Sequence, residues 1–158
     1  MRPTLTLFCG LPGSGKTTLA KQLEAAGQGI RICTDDWQEW LGVDIEDGEF
    51  HERLQVLLYR HALELLRHGQ DVILEDGLWM RAERTEKLAD AKRADARTHI
   101  HVFDLRVDEI WRRLQARNRE RAHGAVPITR AELDAFAALF QLPDDGELRL
   151  FDDHTIYR

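Results

Sequence analysis

Residues 10–17 carry the side chains whose types and spacing most clearly indicate chemistry. They read Gly-Leu-Pro-Gly-Ser-Gly-Lys-Thr and match the pattern G-x-x-x-x-G-K-[ST] at every fixed position. The alternating run 4–9 precedes the pattern and a helical pattern follows it, as a strand–loop–helix unit requires. Glycines let the backbone N–H groups turn toward phosphate oxygens, aided by the helix dipole. We expect this P-loop to bind ATP through Gly10, Leu11, Pro12, Gly13, Ser14, Gly15, Lys16, Thr17 and Thr18.

Two side chains of the loop have separate expected roles. Lys16 is expected to reach the β- and γ-phosphates and to act in catalysis, and the Thr17 hydroxyl to hold Mg²⁺. ATP and Mg²⁺ are therefore the expected cofactors. The pattern leaves the choice between ATP and GTP open.

A pair of carboxylates follows the second predicted strand. Asp35 and Asp36 come after 29–33, and ligands bind at the carboxyl ends of the strands in open parallel sheets. We expect Asp35 to accept the proton of an attacking hydroxyl, with Asp36 assisting. The alternative is helix capping, since Thr34 or Asp35 is a favourable N-cap for a helix over 36–41.

Tryptophans near these acids are candidates for contact with the acceptor. Trp37 and Trp40 share one helix face and could stack on a base or a flat small molecule, although such pairs also occur in protein cores. Trp79 follows the third predicted strand and is expected to shape the acceptor pocket. The predicted acceptor site thus comprises Asp35, Asp36, Trp37 and Trp79.

The segment 72–76, Val-Ile-Leu-Glu-Asp, has the form of a Walker B strand, an apolar run that ends in acids. Such an acid holds Mg²⁺ directly or through water. Asp76 is the shorter and slightly favoured candidate, whereas Glu75 directly ends the apolar run, so both stay open. The alternative is a strand terminus that is merely polar.

Arginines are concentrated in a third segment. Helical spacing places Arg113, Arg117 and Arg121 on one face, and the segment 113–127 could close over the site as a lid. Arg117 and Arg121 are then expected to neutralise charge on the transferring phosphoryl group, with Arg117 also contacting ATP. The alternative is a solvated helix face on which arginines alternate with acids.

The elements that must position these residues alternate along the chain. Strands are predicted at 4–9, 29–33, 71–75, 98–104 and, more weakly, 147–152. Helices are predicted at 16–26, 36–41, 49–68, 81–93, 107–120 and 129–140. Alternation of this kind predicts an α/β fold with a largely parallel central sheet of about five strands.

Composition limits the partners. The chain has 158 residues, of which 43% are hydrophobic and 32% charged, as expected for one globular domain. A net charge of −6 supplies no positive field for nucleic acid. No apolar run is long enough to span a membrane, and the two cysteines are expected to be core residues in a reducing compartment. These features predict a cytoplasmic location without a membrane partner.

Together the segments resemble a P-loop kinase of the bacteriophage polynucleotide kinase type, an AAA-like branch with many small ATP-binding proteins of unassigned substrate. The resemblance covers most of the chain, and Arg117-Asn118-x-x-Arg121 with Ala125-Val126-Pro127 is its most specific part. It implies a single domain, 1–158, with the three-layer P-loop NTPase/kinase fold. It also implies transfer of the ATP γ-phosphate to a hydroxyl, with Asp35 as base, Lys16 and Thr17 on ATP–Mg²⁺, and Arg117 and Arg121 as lid arginines.

One departure bears on the acceptor. The phage enzyme has an arginine that helps hold nucleic acid where this chain has Gln38. With the acidic net charge, this favours a hydroxyl-bearing small molecule over a polynucleotide 5′-hydroxyl, so nucleic acid is a possible but less favoured partner. A nucleotide-dependent switch or ATPase is the alternative of another class. The sequence leaves the acceptor and the oligomeric state open.

Overall fold

The computed structural model describes residues 1–120 and 127–158, in which strands and helices alternate. The strands are β1 (Thr4–Cys9), β2 (Ile30–Ile32), β3 (Val72–Gly77), β4 (Arg97–Phe103) and β5 (Asp153–Tyr157). The helices are α1 (Lys16–Ala25), α2 (Thr34–Trp40), α3 (Gly48–Arg67), α4 (Arg81–Arg93), α5 (Val107–Glu120), α6 (Arg130–Leu139) and α7 (Asp145–Leu148).

The strands form one parallel sheet in the order β2-β3-β1-β4-β5. In the central strand, Leu7 lies opposite Leu74 on β3 and Ile100 on β4. Because the strands are parallel, the carboxyl ends of β1, β2 and β3 meet at one edge of the sheet. The predicted α/β fold with a parallel five-stranded sheet is confirmed.

Helices cover both faces of the sheet, which gives the three layers. On one face, residues of α3 and α4 such as Leu58 and Ala91 pack in the main core. On the other face, Ala20 of α1 packs with Phe8 and Ile73. A third apolar cluster joins the P-loop to α5 and α6 through Leu11, Ile110, Leu114 and Leu133. This third cluster fixes α5 beside the predicted phosphate site.

The end of the chain differs from the predicted strand at 147–152. A short helix, α7, occupies its first part, and the edge strand β5 starts only at Asp153. Asp144 caps the helix by accepting a hydrogen bond from the Glu147 backbone N–H at 2.7 Å. The Glu147 side chain is buried, and its pairing with Arg84 determines the local structure more than the alternation of the sequence does. The strand prediction was wrong because that pairing joins residues far apart in the chain.

Arg84 and Glu147 form a buried ion pair behind the P-loop. Arg84 Nε donates to Glu147 Oε2 at 2.5 Å, and its Nη1 donates to the carbonyl oxygens of Leu78 and Trp79 at 3.0 and 3.1 Å. The pair therefore connects α4, α7 and the turn after β3.

Replacing Glu147 by Gln should lower the free energy of unfolding by about 3–5 kcal/mol, because the Arg84 charge would stay buried without its partner. Chemical denaturation measures the loss. Glu64→Gln, which breaks the exposed pair of Glu64 with Arg67, is the matched control and should cost less than about 1 kcal/mol. Equal effects of the two substitutions would contradict a special role for the buried pair.

A row of stacked rings crosses β1, β4 and β5. His101 is buried, stacks on Phe8 and His99, and shares a 2.9 Å hydrogen bond between its Nδ1 and the Tyr157 hydroxyl. Burial, and then the neighbouring His99, lower the pKa of His101 from 6.5 to about 4. As the pH falls, the unfolded chain therefore binds this proton at a higher pH than the folded protein does.

His101→Phe should remove part of the acid sensitivity of the fold. In the parent protein, this histidine's contribution to stability is fully present above pH 6.5 and is lost as the pH falls toward 4. With allowance for solvent screening, the loss is about 2 kcal/mol. Denaturant titrations at pH 7 and pH 4.5 measure it, with the exposed His61→Asn as control. An unchanged pH dependence in His101→Phe would contradict the assignment.

The two cysteines, Cys9 and Cys33, are both free thiols, and Cys9 is part of the main core. Burial raises the pKa of the Cys9 thiol to about 11. Within residues 1–120 and 127–158, none of the helices has the length and apolar content needed to cross a lipid bilayer.

Candidate active site

The P-loop adopts a strongly curved backbone between β1 and α1. Gly13 and Gly15 have φ values of 80° and 108°, which side-chain-bearing residues rarely adopt. A Cβ at Gly77, at the end of β3, would lie 3.0 Å from the Gly10 carbonyl oxygen and 3.3 Å from Lys16 Cε. The loop and β3 thus approach each other so closely that a side chain at position 77 would push one of them aside. The Ser14 hydroxyl is buried and has no hydrogen-bond partner among the described residues.

Lys16 begins α1 and lies within the curve of the loop. Its ammonium group donates to the carbonyl oxygens of Gly10 and Leu11, each at 2.9 Å. Burial lowers the pKa of Lys16 from 10.5 to about 8. A polyphosphate beside this group would stabilise its charged form.

Helix α5 contacts the P-loop directly. Arg113 Nη1 donates to the Ser14 carbonyl oxygen at 3.2 Å, and a Cβ at Gly13 would lie 2.7 Å from Leu114 Cδ2. Arg117, one turn after Arg113, lines the same cleft. Its Nε is buried and lacks a hydrogen-bond partner in the described part of the chain. Arg121, the other predicted lid arginine, lies outside the described residues.

Thr17 is linked to the Walker B-like strand through Glu75. The Thr17 hydroxyl donates to Glu75 Oε1. Arg31 of β2 holds the other oxygen of that carboxylate, with Nε donating to Oε2 at 2.7 Å. The same guanidinium donates through Nη1 to Asp36 at 2.7 Å. Arg31 therefore fixes two of the predicted site acids by charge-assisted hydrogen bonds.

Asp76 has different partners from Glu75. It accepts a hydrogen bond from the Thr34 hydroxyl at 3.2 Å. Burial raises the pKa of this carboxyl despite that bond. The two acids thus face different sides of the site, because successive residues of a strand point in opposite directions.

Helix α2 starts at Thr34, earlier than the predicted 36–41, so both aspartates lie in its first turn. The N-cap is Cys33, which makes no side-chain cap, so the capping alternative for Thr34 and Asp35 does not apply. The Asp35 side chain is 68% exposed, and its Oδ1 lies 3.5 Å from His51 Nδ1. Asp35 is therefore accessible, whereas Asp36 is held by Arg31.

Gln38 is fully buried and stabilises the loop between α2 and α3. Its Nε2 donates to the carbonyl oxygens of Asp44 and Asp47 at 2.7 and 3.3 Å. Its Oε1 lies 2.9 Å from His51 Nδ1. The Gln38 side chain thus holds the loop in place and orients the His51 ring.

These groups surround one open cleft of about 1070 Å³ at the carboxyl edge of the sheet. Its lining comprises Pro12, Gly13, Gly15, Lys16, Thr17, Thr18, Cys33, Thr34, Asp35, Asp36, Glu39, Val43, Ile45, His51, Gln55, Glu75, Asp76, Gly77, Trp79, Arg113, Arg117 and Ile128. The P-loop residues Gly10, Leu11 and Ser14 are buried and do not line the cleft.

Only one of the three tryptophans considered in the sequence analysis lines the cleft. Trp79 lines the cleft, donates from Nε1 to the Gly10 carbonyl oxygen at 3.1 Å and packs against Phe136. Trp37 and Trp40 are exposed, form a tilted pair with centroids 5.9 Å apart and are absent from the cleft lining. The predicted acceptor site therefore comes together at Asp35, Asp36 and Trp79 but not at Trp37.

Three cleft or cleft-supporting residues were not predicted: Arg31, His51 and Gln55. A charged residue inside the predicted strand 29–33 was a signal for Arg31, since a buried strand rarely holds an unpaired charge. His51 and Gln55 are four residues apart on α3 and reach the cleft only in the folded chain. The sequence held no signal for these two.

A family model described as an AAA domain matches residues 5–143. The chain belongs to the AAA domain family. No curated protein sequence matches it. The matched residues include the P-loop, the strands β1 to β4 and the helices α1 to α6.

Solved structures share this AAA-domain fold. A putative kinase from Chloroflexus aurantiacus J-10-fl superposes with a TM-score of 0.74 at 21% identity, covering 98% of this chain and 84% of that one. Chaetomium thermophilum Kti12 in complex with ADP-AlF3 gives 0.70 at 20% identity, covering 98% and 88%.

A chain of the Pnkp1/Rnl/Hen1 RNA repair complex gives a TM-score of 0.73 at 22% identity over 87% of the present chain. The present chain spans only 44% of that protein's length. At these identities the likeness shows the fold.

Proposed function

We propose that this protein transfers the γ-phosphate of ATP to a hydroxyl group of a small molecule. The observation that carries the proposal is that an accessible carboxylate, Asp35, lines the same cleft as Lys16 and the P-loop. A phosphotransferase needs both a polyphosphate site and a group that receives the proton of the attacking hydroxyl.

The part of the cleft formed by the P-loop and Glu75, the donor half, fits a nucleoside triphosphate with Mg²⁺. The curved backbone at Gly13 and Gly15 and the buried Lys16 ammonium suit an anionic ligand. The Thr17 hydroxyl and the Glu75 carboxylate are hard oxygen donors in contact, as Mg²⁺ prefers. When bound, Mg²⁺ neutralises charge on the β- and γ-phosphates. We therefore favour Glu75 over Asp76 as the Walker B acid.

In the proposed reaction, Asp35 accepts the proton of the acceptor hydroxyl while that oxygen bonds to the γ-phosphorus. The bond between the γ-phosphorus and its bridging oxygen breaks, and ADP leaves with that electron pair. Lys16 and Arg117 offset the negative charge on the transferring group. The transition state is loose, so orientation of the hydroxyl by Asp35 matters more than a raised basicity.

A polynucleotide 5′-hydroxyl kinase is the second candidate. The resemblance to the phage polynucleotide kinase type and the fold shared with a chain of an RNA repair complex favour it. Against it stand the net charge of −6 and the buried Gln38 at the position of the phage enzyme's arginine.

The test is transfer from γ-labelled ATP with Mg²⁺ to a broad acceptor panel, which contains 5′-hydroxyl DNA and RNA oligonucleotides, nucleosides, sugars and antibiotics. Label on a small molecule is the expected result. Label on oligonucleotides alone would favour the second candidate. Hydrolysis that labels no acceptor, and that a protein partner stimulates, would instead indicate a nucleotide-dependent switch.

A further inference from the structure

The half of the cleft beside Asp35, the acceptor half, is negatively charged. It is lined by Asp35 and Glu39 of α2, by Val43 and Ile45 of the following loop, and by His51 of α3. No Lys or Arg belongs to this acceptor half in residues 1–120 and 127–158. Glu39 is exposed, and none of the ion pairs among the described residues includes it. An acceptor bound here meets two carboxylates, which would attract a cationic group on it.

Three of the cations near the cleft are held by other groups, and the fourth, Arg117, lies near Lys16 on the phosphate side of the cleft. Arg31 is bound to Glu75 and Asp36. Lys16 donates into the P-loop, and Arg113 bonds to Glu109 and to the Ser14 carbonyl oxygen. The positive charge of the cleft thus lies in its donor half, where a polyphosphate requires it. A phosphate or carboxylate on the acceptor would find no matching cation among the described groups beside Asp35.

His51 adds a hydrogen-bond acceptor to this half. Gln38 Nε2 donates to two carbonyl oxygens, which assigns the other amide atom, Oε1, as the group that faces His51 Nδ1. Because Oε1 can only accept, Nδ1 must carry the hydrogen. In the neutral imidazole, Nε2 is then an acceptor. When the ring is neutral, the network around Gln38 therefore leaves Nε2 of His51 able to receive a hydrogen bond from a ligand.

We propose that the acceptor is a hydroxyl compound that carries a protonated amino group, such as an amino alcohol or an amino sugar. Glu39 binds the ammonium group, Asp35 and His51 receive hydrogen bonds from ligand O–H or N–H groups, and Val43 and Ile45 contact its carbon skeleton. This inference rests on the proposed phosphotransferase function and specifies its substrate class.

The test compares matched acceptors with γ-labelled ATP at pH 7, where the amino groups are mainly protonated. The probes are ethanolamine, serinol, glucosamine and kanamycin, each with its N-acetylated form, together with the carboxylates glycolate, glycerate and gluconate. We expect label on at least one free amine, with kcat/KM reduced at least about tenfold by N-acetylation, the loss expected for one charge-assisted hydrogen bond.

If neutral or anionic compounds of either set accept label and no free amine does, the amine assignment is wrong. The proposed phosphotransferase function would still hold in that case. Equal kcat/KM for a free amine and its N-acetylated form would overturn the assignment as well. If no compound in either set accepts label, the phosphotransferase function itself fails. The two failures are therefore distinguishable.

A matched pair of variants tests the residue contact. Glu39→Gln should raise KM for the labelled amine about tenfold, with little change for its N-acetylated form. Glu49→Gln makes the same charge change at an exposed position outside the cleft lining and should stay within about twofold of the parent protein. An unchanged KM for the amine in Glu39→Gln would refute the contact.

Discussion

Asp35→Asn should lower kcat for phosphate transfer by about 10²–10⁴, with little change in ATP affinity. Asn is close to Asp in shape but cannot accept a proton, so the acceptor hydroxyl would have to lose its proton to water. The Asp35 side chain is 68% exposed and contacts His51, so the substitution should leave the fold intact. Steady-state transfer and equilibrium binding of ATP measure the two quantities separately.

Asp145→Asn is the control for this substitution. Asp145 is an exposed residue of α7 outside the cleft, and its replacement makes the same change of charge. Its kcat should match that of the parent protein. A loss of ATP binding in Asp35→Asn, rather than of kcat, would instead assign Asp35 to the nucleotide or metal site.

Lys16→Ala should abolish transfer and weaken ATP binding by at least about 10², because two charge-assisted hydrogen bonds to phosphate would be lost. The lysine lies inside the P-loop and is the only ammonium group that lines the cleft among the described residues. Filter binding of labelled ATP and the transfer assay measure both effects.

Lys21→Ala is the matched control for Lys16→Ala. Lys21 lies on the same helix, α1, but is exposed and outside the cleft lining, so both binding and transfer should be unchanged. Circular dichroism of both variants checks that the fold persists after Lys16 loses its bonds to Gly10 and Leu11. Near-normal turnover in folded Lys16→Ala would refute the assignment of the ATP site.

The agreement between sequence and structure is best where interactions are local. The P-loop is one continuous segment, so its glycines and Lys16 are readable from eight adjacent residues, 10–17. The first four strands and the helices α1 and α3–α6 were also predicted within a few residues, because most of them bury one apolar face in a core cluster. Alternation of strands and helices was sufficient to predict a parallel sheet.

The segment 145–157 shows where local patterns fail. Its alternating leucines predict a strand at 147–152, yet Glu147 turns inward to pair with Arg84, which is 63 residues away in the chain. Likewise, the position of Trp37 depends on the rotation of α2, which the burial of Thr34 and Gln38 determines. Neither partner is visible from spacing alone.

The sequence by itself determined the P-loop, the α/β architecture and the candidate status of Asp35, Glu75 and Asp76. Only the tertiary structure brought Thr17 to Glu75, joined Arg31 to two acids and placed His51 beside Asp35. The physical reason is that periodicity reports which face of an element is buried. Which elements become neighbours depends on strand order and on side-chain pairings between residues distant in the chain. These pairings determine which acids of the cleft are held by other side chains and which stay accessible to a ligand.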